Sequence, residues 1–200
     1  MSEEKKKISF TYRFLCRIGM KYSEDEYGQV TILGLLKKVW DNFYHALLQS
    51  MMDWVIFAPI AARKMRPWLL RRMGAKVGKG VFIGDHVIFD LNHSDHIVVD
   101  DYAHIAGGCR LLCHQRDLKG YCKGDNYANF GYNIEYVHLG KGSLLGMTTM
   151  VMPGVTVGEG AIVSAGSFVN KDIPAWTIAV GRPAKPIKEI PKREINSTAE

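Results

Sequence analysis

The chain has 200 residues, 47% hydrophobic and 23% charged, which suffices for one sizeable core and excludes a disordered or collagen-like chain. A net charge of +6, scattered and without an aromatic RNA-binding signature or zinc-finger spacing, argues against a nucleic-acid partner. Cys16, Cys109, Cys113 and Cys122 form no CxxC pair, so neither disulfides nor a thiolate metal site is expected, and a cytoplasmic protein fits.

The N-terminal run MSEEKKKISFTYRF is basic but lacks a continuous apolar segment and a small-residue cleavage site, so secretion is not expected. From Gly34 to Phe57 the large apolar residues Leu36, Trp40, Phe43, Leu47, Met51 and Trp54 recur in steps of three or four, which predicts an amphipathic helix. The most apolar stretch, Ala46 to Ala62, carries Gln49, Ser50, Asp53 and Pro59 and is a poor spanning helix. Six basic residues and no acidic one follow between Arg63 and Lys76, a pairing compatible with attachment to the inner face of a membrane. The competing use of the apolar face is packing on the rest of the chain or on neighbouring copies. Pro67 can open a second short helix and Gly74 can end it, so residues 1–73 read as a helical appendage.

After Gly74 apolar residues recur every six positions. Val77, Ile83 and Phe89 form one run, Val99, Ile105 and Leu111 a second, and Leu139, Leu145, Val151, Val157, Val163, Val169 and Ala175 a third. The next residue is Gly at 78, 84, 140, 146 and 158, read as corners that need positive φ. Small residues two before the register position, such as Ala103, Cys109, Ser143, Thr149, Ala161 and Ser167, share its inward face. A fixed step of six describes a triangular solenoid of short parallel strands, three repeats per coil, over residues 74–180, with a short C-terminal cap at 181–200. Two excursions break the register: four residues around Asn92, His93, Ser94 and Asp95, and twenty-two residues after Leu111, containing the loop 115–136. Function concentrates at such departures from a rigid scaffold, and His114 stands at the root of the longer one.

The segments PGVTVGEG, SAGSFVNKDIPAW and GRPAK resemble the hexapeptide-repeat acetyltransferases that include maltose, galactoside and exopolysaccharide O-acetyltransferases. The resemblance covers residues 74 to about 190 and implies a mainly β fold, a left-handed parallel β-helix, assembled as a homotrimer. It implies transfer of an acetyl group from acetyl-CoA to a hydroxyl of a saccharide-like acceptor, with His114 as general base and no acyl-enzyme. No metal is expected, because neither thiolates nor a plausible histidine triad is available. Asn92 and Asp90 match positions that hold the acceptor in relatives. Ala106, Met147 and Ala165 match the pantetheine-binding corner, with Asn170, Lys171, Arg182, Lys185 and Lys188 as phosphate contacts. Leu144, Asn170 and Ser164 depart from the family's usual Trp, Thr and Gly. The long loop, rich in Tyr, Asn and Gly, suits either an acceptor site or a trimer clasp. Two rival readings are a γ-type carbonic anhydrase and a silent scaffold subunit. The first lacks its close histidine pair, with His104, His114 and His138 on the repeats and His93 and His96 in an insertion. The second leaves His114 and the basic tail unexplained.

Overall fold

The computed structural model describes residues 8–19, 28–57 and 60–192. The start of the N-terminal run, the Ala58–Pro59 step of the apolar stretch and the end of the basic tail lie outside these. The chain divides into two compact units, one of residues 1–47 with 115–133, the other of 48–114 with 134–200.

In the first unit, α1 (Phe10–Arg17) is capped by the Ser9 hydroxyl, which accepts from Tyr12 N at 3.2 Å. The loop 115–133 folds around Arg116, which donates to Phe130 O at 2.5 Å and Tyr132 Oη at 2.7 Å and lies over the Tyr132 ring. Helix α2 (Ile32–Met51) begins in this unit and ends in the other. The expected helix thus stops short of Phe57, and a 3-10 turn covers Val55–Phe57. Among the described residues its anticipated core stripe is left uncovered: Leu36, Trp40, Phe43 and Leu47 are exposed, whereas Leu48 and, just past the helix, Met52 are buried.

In the second unit, residues 48–73 are tied to the first repeats by hydrogen bonds. Gln49 donates to Val87 O at 2.7 Å and accepts from Phe89 N at 3.3 Å, and Asp53 accepts from His86 N at 2.8 Å. Arg66 bonds Met52 O and Ile83 O at 2.8 and 3.1 Å. Helix α3 (Arg66–Arg72), with Pro67 in its first turn, follows a π-helical turn at Ala61–Met65 and buries Leu69 and Leu70. Residues 48–73 therefore cover the first repeats, whose apolar faces would otherwise meet water.

The repeats then run as β1 (Lys76–Val77), β2 (Phe82–Ile83) and β3 (Ile88–Phe89), followed by β4 (Ile97–Val99), β5 (His104–Ile105) and β6 (Arg110–Leu111). After the long excursion, whose ends pair as β7 (His114–Arg116) and β8 (Tyr132–Ile134), come β9 (Val137–Leu139), β10 (Leu144–Leu145) and β11 (Met150–Val151). The series closes with β12 (Thr156–Val157), β13 (Ile162–Val163), β14 (Phe168–Val169), β15 (Thr177–Gly181) and β16 (Ala184–Glu189). The chain visits three parallel sheets in rotation: β1-β4-β9-β12, β2-β5-β10-β13-β15 and β3-β6-β11-β14, with β16 antiparallel on β15. Pairing follows the six-residue register through both breaks, Phe89 lying beside Leu111, Leu111 beside Val151 and Val151 beside Val169. From Ile83 to Val169 the register residues are buried, and each Val, Leu or Ile so buried contributes about 1.5–3 kcal/mol.

Two expectations need correction. Ala175 is exposed, because the last coil is two residues short: Val157 faces Ile173, and Val163 pairs with Ala179. The glycines after the register positions are required by close approach, not by φ. At Gly146 a Cβ would lie 2.4 Å from Ala165 N of the next coil, while the positive-φ corner comes two residues further on, as at Gly160 (φ +63°). Among the described residues no helix is long and apolar enough to cross a membrane.

Candidate active site

Both register breaks leave the third sheet, one after β3 and one after β6, and β3 pairs directly with β6. The two excursions that look unrelated in the sequence therefore emerge side by side on adjacent coils. Asp90, the first residue past β3, is only 4% exposed. Its Oδ2 accepts from Cys113 N at 3.0 Å and lies 2.5 Å from His114 Nδ1, while Oδ1 accepts from Asn92 N at 3.3 Å. A buried carboxylate is tolerable because these donors replace water. Both carboxylate oxygens of Asp90, expected from the sequence on the acceptor, thus have partners within the chain. Asn92 itself is exposed at the same turn.

The His114 side chain is one-third exposed. The Asp90 contact is made at Nδ1, the ring nitrogen opposite Nε2. The His93 ring stands edge-on to His114 with centroids 5.3 Å apart. Burial holds the His93 imidazole below its ordinary pKa against the opposing pull of Asp90, and His114 and His96 push it further down. Cys113, beside His114 in the chain, is no rival nucleophile: burial, reinforced by Asp90, pushes its thiol up to about 12.

The proposed coenzyme residues fall in three places. Ala106, Met147 and Ala165 follow β5, β10 and β13, strands that pair in that order, so they mark one corner on three successive coils. Asn170 and Lys171 follow β14 at the next corner, the one from which His114 departs two coils earlier. Arg182 lies in the β15–β16 turn and Lys185 and Lys188 lie on β16, all exposed. The histidines weighed for zinc stand apart: His104 stacks on Phe82 in the second sheet, and His138 pairs with Asp100 at 2.9 Å in the first. A separate groove of about 490 Å³, lined by Lys76, Val98, Asp100, Asp101 and Lys141 among others, contains none of the candidate residues.

Sequence reasoning missed the Asp90–His114 pair, although a signal existed: both breaks follow the third register position of a coil. It also set aside His93, Asp95 and His96, which the structure draws together.

The model of the bacterial transferase hexapeptide (six repeats) matches residues 136–171. YvoF of Bacillus subtilis, provisionally named an acetyltransferase, is 31% identical over 139 residues, spanning 68% of this chain and 74% of that protein. The chain belongs to the hexapeptide-repeat transferases. Another relative, from Schizosaccharomyces pombe and also provisionally named an acetyltransferase, is 59% identical, but over 23% of this chain and 22% of its own length. A Staphylococcus aureus relative with the same provisional name is 40% identical over 36% of this chain, and the match spans 35% of that protein. The chain thus aligns with well under two-thirds of these last two relatives. Among solved structures, maltose O-acetyltransferase from Clostridium difficile 630 superposes with a TM-score of 0.61 at 20% identity, covering 90% of this hexapeptide-repeat chain and 98% of that one. That likeness establishes a shared fold.

Proposed function

We propose that this chain transfers an acetyl group from acetyl-CoA to a hydroxyl of a saccharide-like acceptor, with His114 as general base and Asp90 as its positioning residue. The observation that carries the reading is the short Asp90–His114 pair, set where both excursions leave the coils of a hexapeptide-repeat transferase. The provisional name of YvoF supports acetyl as the group moved.

A sugar hydroxyl is a weak nucleophile at neutral pH. His114 Nε2 takes its proton as the oxygen attacks the thioester carbonyl, and buried Asp90 stabilises the imidazolium that forms. Collapse of the tetrahedral species breaks the C–S bond, and the departing thiolate recovers the proton from His114. Backbone N–H groups of the coil supply donors to the transient oxyanion. The pantetheine arm runs along the Ala106, Met147 and Ala165 corner. Lys171, Arg182, Lys185 and Lys188, with Asn170, meet the phosphates, and the abundance of exposed cations there supports this. Asn92, exposed beside the base, remains on the acceptor. The coil is a left-handed β-helix, and the chain works as a cytoplasmic homotrimer whose apolar α2 stripe is covered by neighbouring subunits in preference to a membrane surface.

Thiol release from acetyl-CoA over a panel of sugars, scored with wild type and His114→Ala, tests the reading. Release with at least one sugar, reduced about a hundredfold or more in the variant while coenzyme binding persists, is expected. Undiminished release by His114→Ala removes His114 as the base.

A further inference from the structure

The short excursion after β3 gathers three ligand-type side chains that the reaction above does not use. Ser94–His96 forms a single 3-10 turn, with His96 N donating to His93 O at 3.0 Å. At three residues per turn, positions three apart project from the same side, which brings His93 and His96 together with Asp95 beside them. The turn is anchored at both ends. Ser94 is buried with its hydroxyl on Met73 O, and Ile97 is buried in β4 against Val137. The His96 ring packs on Tyr136 with centroids 4.5 Å apart and keeps Nδ1 at 3.0 Å from Asp95 Oδ1, and the His93 ring stands perpendicular to it at 5.9 Å. One ligand atom from each of His93, Asp95 and His96 lies within 4.8 Å of the other two.

We infer that His93, Asp95 and His96 bind a divalent transition-metal ion. Two imidazoles and one carboxylate suit zinc, cobalt, nickel or ferrous iron, whereas calcium and magnesium demand more oxygen donors. Metal–ligand bonds of about 2.0–2.2 Å place ligand atoms roughly 3–3.5 Å apart around the ion. Closing the present spread of up to 4.8 Å asks for rotation about the side-chain torsions. Asp95 is largely exposed, so such an ion keeps water in its remaining positions. Because His93 meets His114 ring to ring, the ion lies beside the proposed base, yet its binding requires neither acetyl-CoA nor turnover. The alternative is an ordinary surface pair between Asp95 and His96 with a neighbouring imidazole.

Calorimetric titration of the chelator-treated, full-length protein with Co²⁺ alone separates the two. One ion per chain is expected, with affinity falling tenfold or more in His93→Ala and in His96→Ala and unchanged in His86→Ala, which removes an exposed imidazole elsewhere. Absence of stoichiometric binding, or equal affinity in the His93→Ala/His96→Ala double variant, overturns the inference. If the alanine variants fail to fold, the spectrum of the wild-type cobalt complex decides. Nitrogen and oxygen ligation without a thiolate charge-transfer band supports the site, and such a band places the ion on cysteine and refutes it.

Discussion

Asp90→Asn isolates the charge at the candidate site while nearly preserving its shape. Oδ2 serves both Cys113 N and His114 Nδ1, so an amide oxygen in that place keeps both contacts. Only the 3.3 Å bond from Asn92 N to Oδ1 is lost, about 1 kcal/mol or less, or roughly 2–4 °C of melting temperature for a chain of this length. Turnover should fall further. As His114 becomes an imidazolium in the transition state, the bond to Asp90 becomes one between charges, and such bonds contribute about 1.5–3 kcal/mol. At about 1.4 kcal/mol per factor of ten, kcat should drop roughly 10- to 150-fold. Steady-state kinetics with an active sugar acceptor, combined with a melting curve, reads both effects, and the KM for acetyl-CoA should stay within about twofold because Asp90 is no part of the coenzyme corner. A kcat within twofold of wild type would refute the positioning role. So would a fall in kcat matched by an equal rise in that KM.

Gly146→Ala should destabilise the chain by about 1–3 kcal/mol in denaturant melts, since its Cβ would meet backbone at 2.4 Å, whereas Gly131→Ala, with open space around it, should be nearly neutral. Equal melts would undo the close-approach argument. Among the thiols, exposed Cys122 should react first with a thiol reagent at pH 8, and Cys109 and Cys113 only after unfolding, because burial raises their pKa to about 11 and about 12; early labelling of Cys113 would contradict this. His104, stacked on Phe82, has its pKa lowered by burial and by Arg63, so the unfolded chain takes up a proton that the folded one resists. Stability should therefore decline as pH falls below 6.5, and His104→Gln should melt with a weaker acid dependence than wild type.

The repeat was legible because each register position is answered independently by burial. A step of six that places Ile83, Ile105, Leu145 and Val163 on one inward line leaves few other ways to bury them. The end of the repeat was not legible from periodicity, since Ala175 fits the pattern while Ile173, two residues earlier, is the larger apolar group and wins the buried place. What the helical segment packs on was hidden for a related reason. Periodicity identifies the apolar face of α2 but not what covers it, and within the chain Gln49 ties the Leu48 and Met52 side to the first coil.

The candidate site shows where legibility depends on phase. His114 drew notice by its place at a loop root, but its partner Asp90 lies 24 residues earlier and looks like a polar residue after an ordinary strand. Counting coils changes that. Phe89 and Leu111 each occupy the third position of their coil, so the residues that directly follow them leave from one corner of adjacent coils. A solenoid permits insertions at any corner, and here both begin at the same corner of adjacent coils. The carboxylate from the first excursion and the imidazole from the second then need no long-range folding event to find each other, because the β3–β6 pairing that buries Phe89 and Leu111 already brings them together.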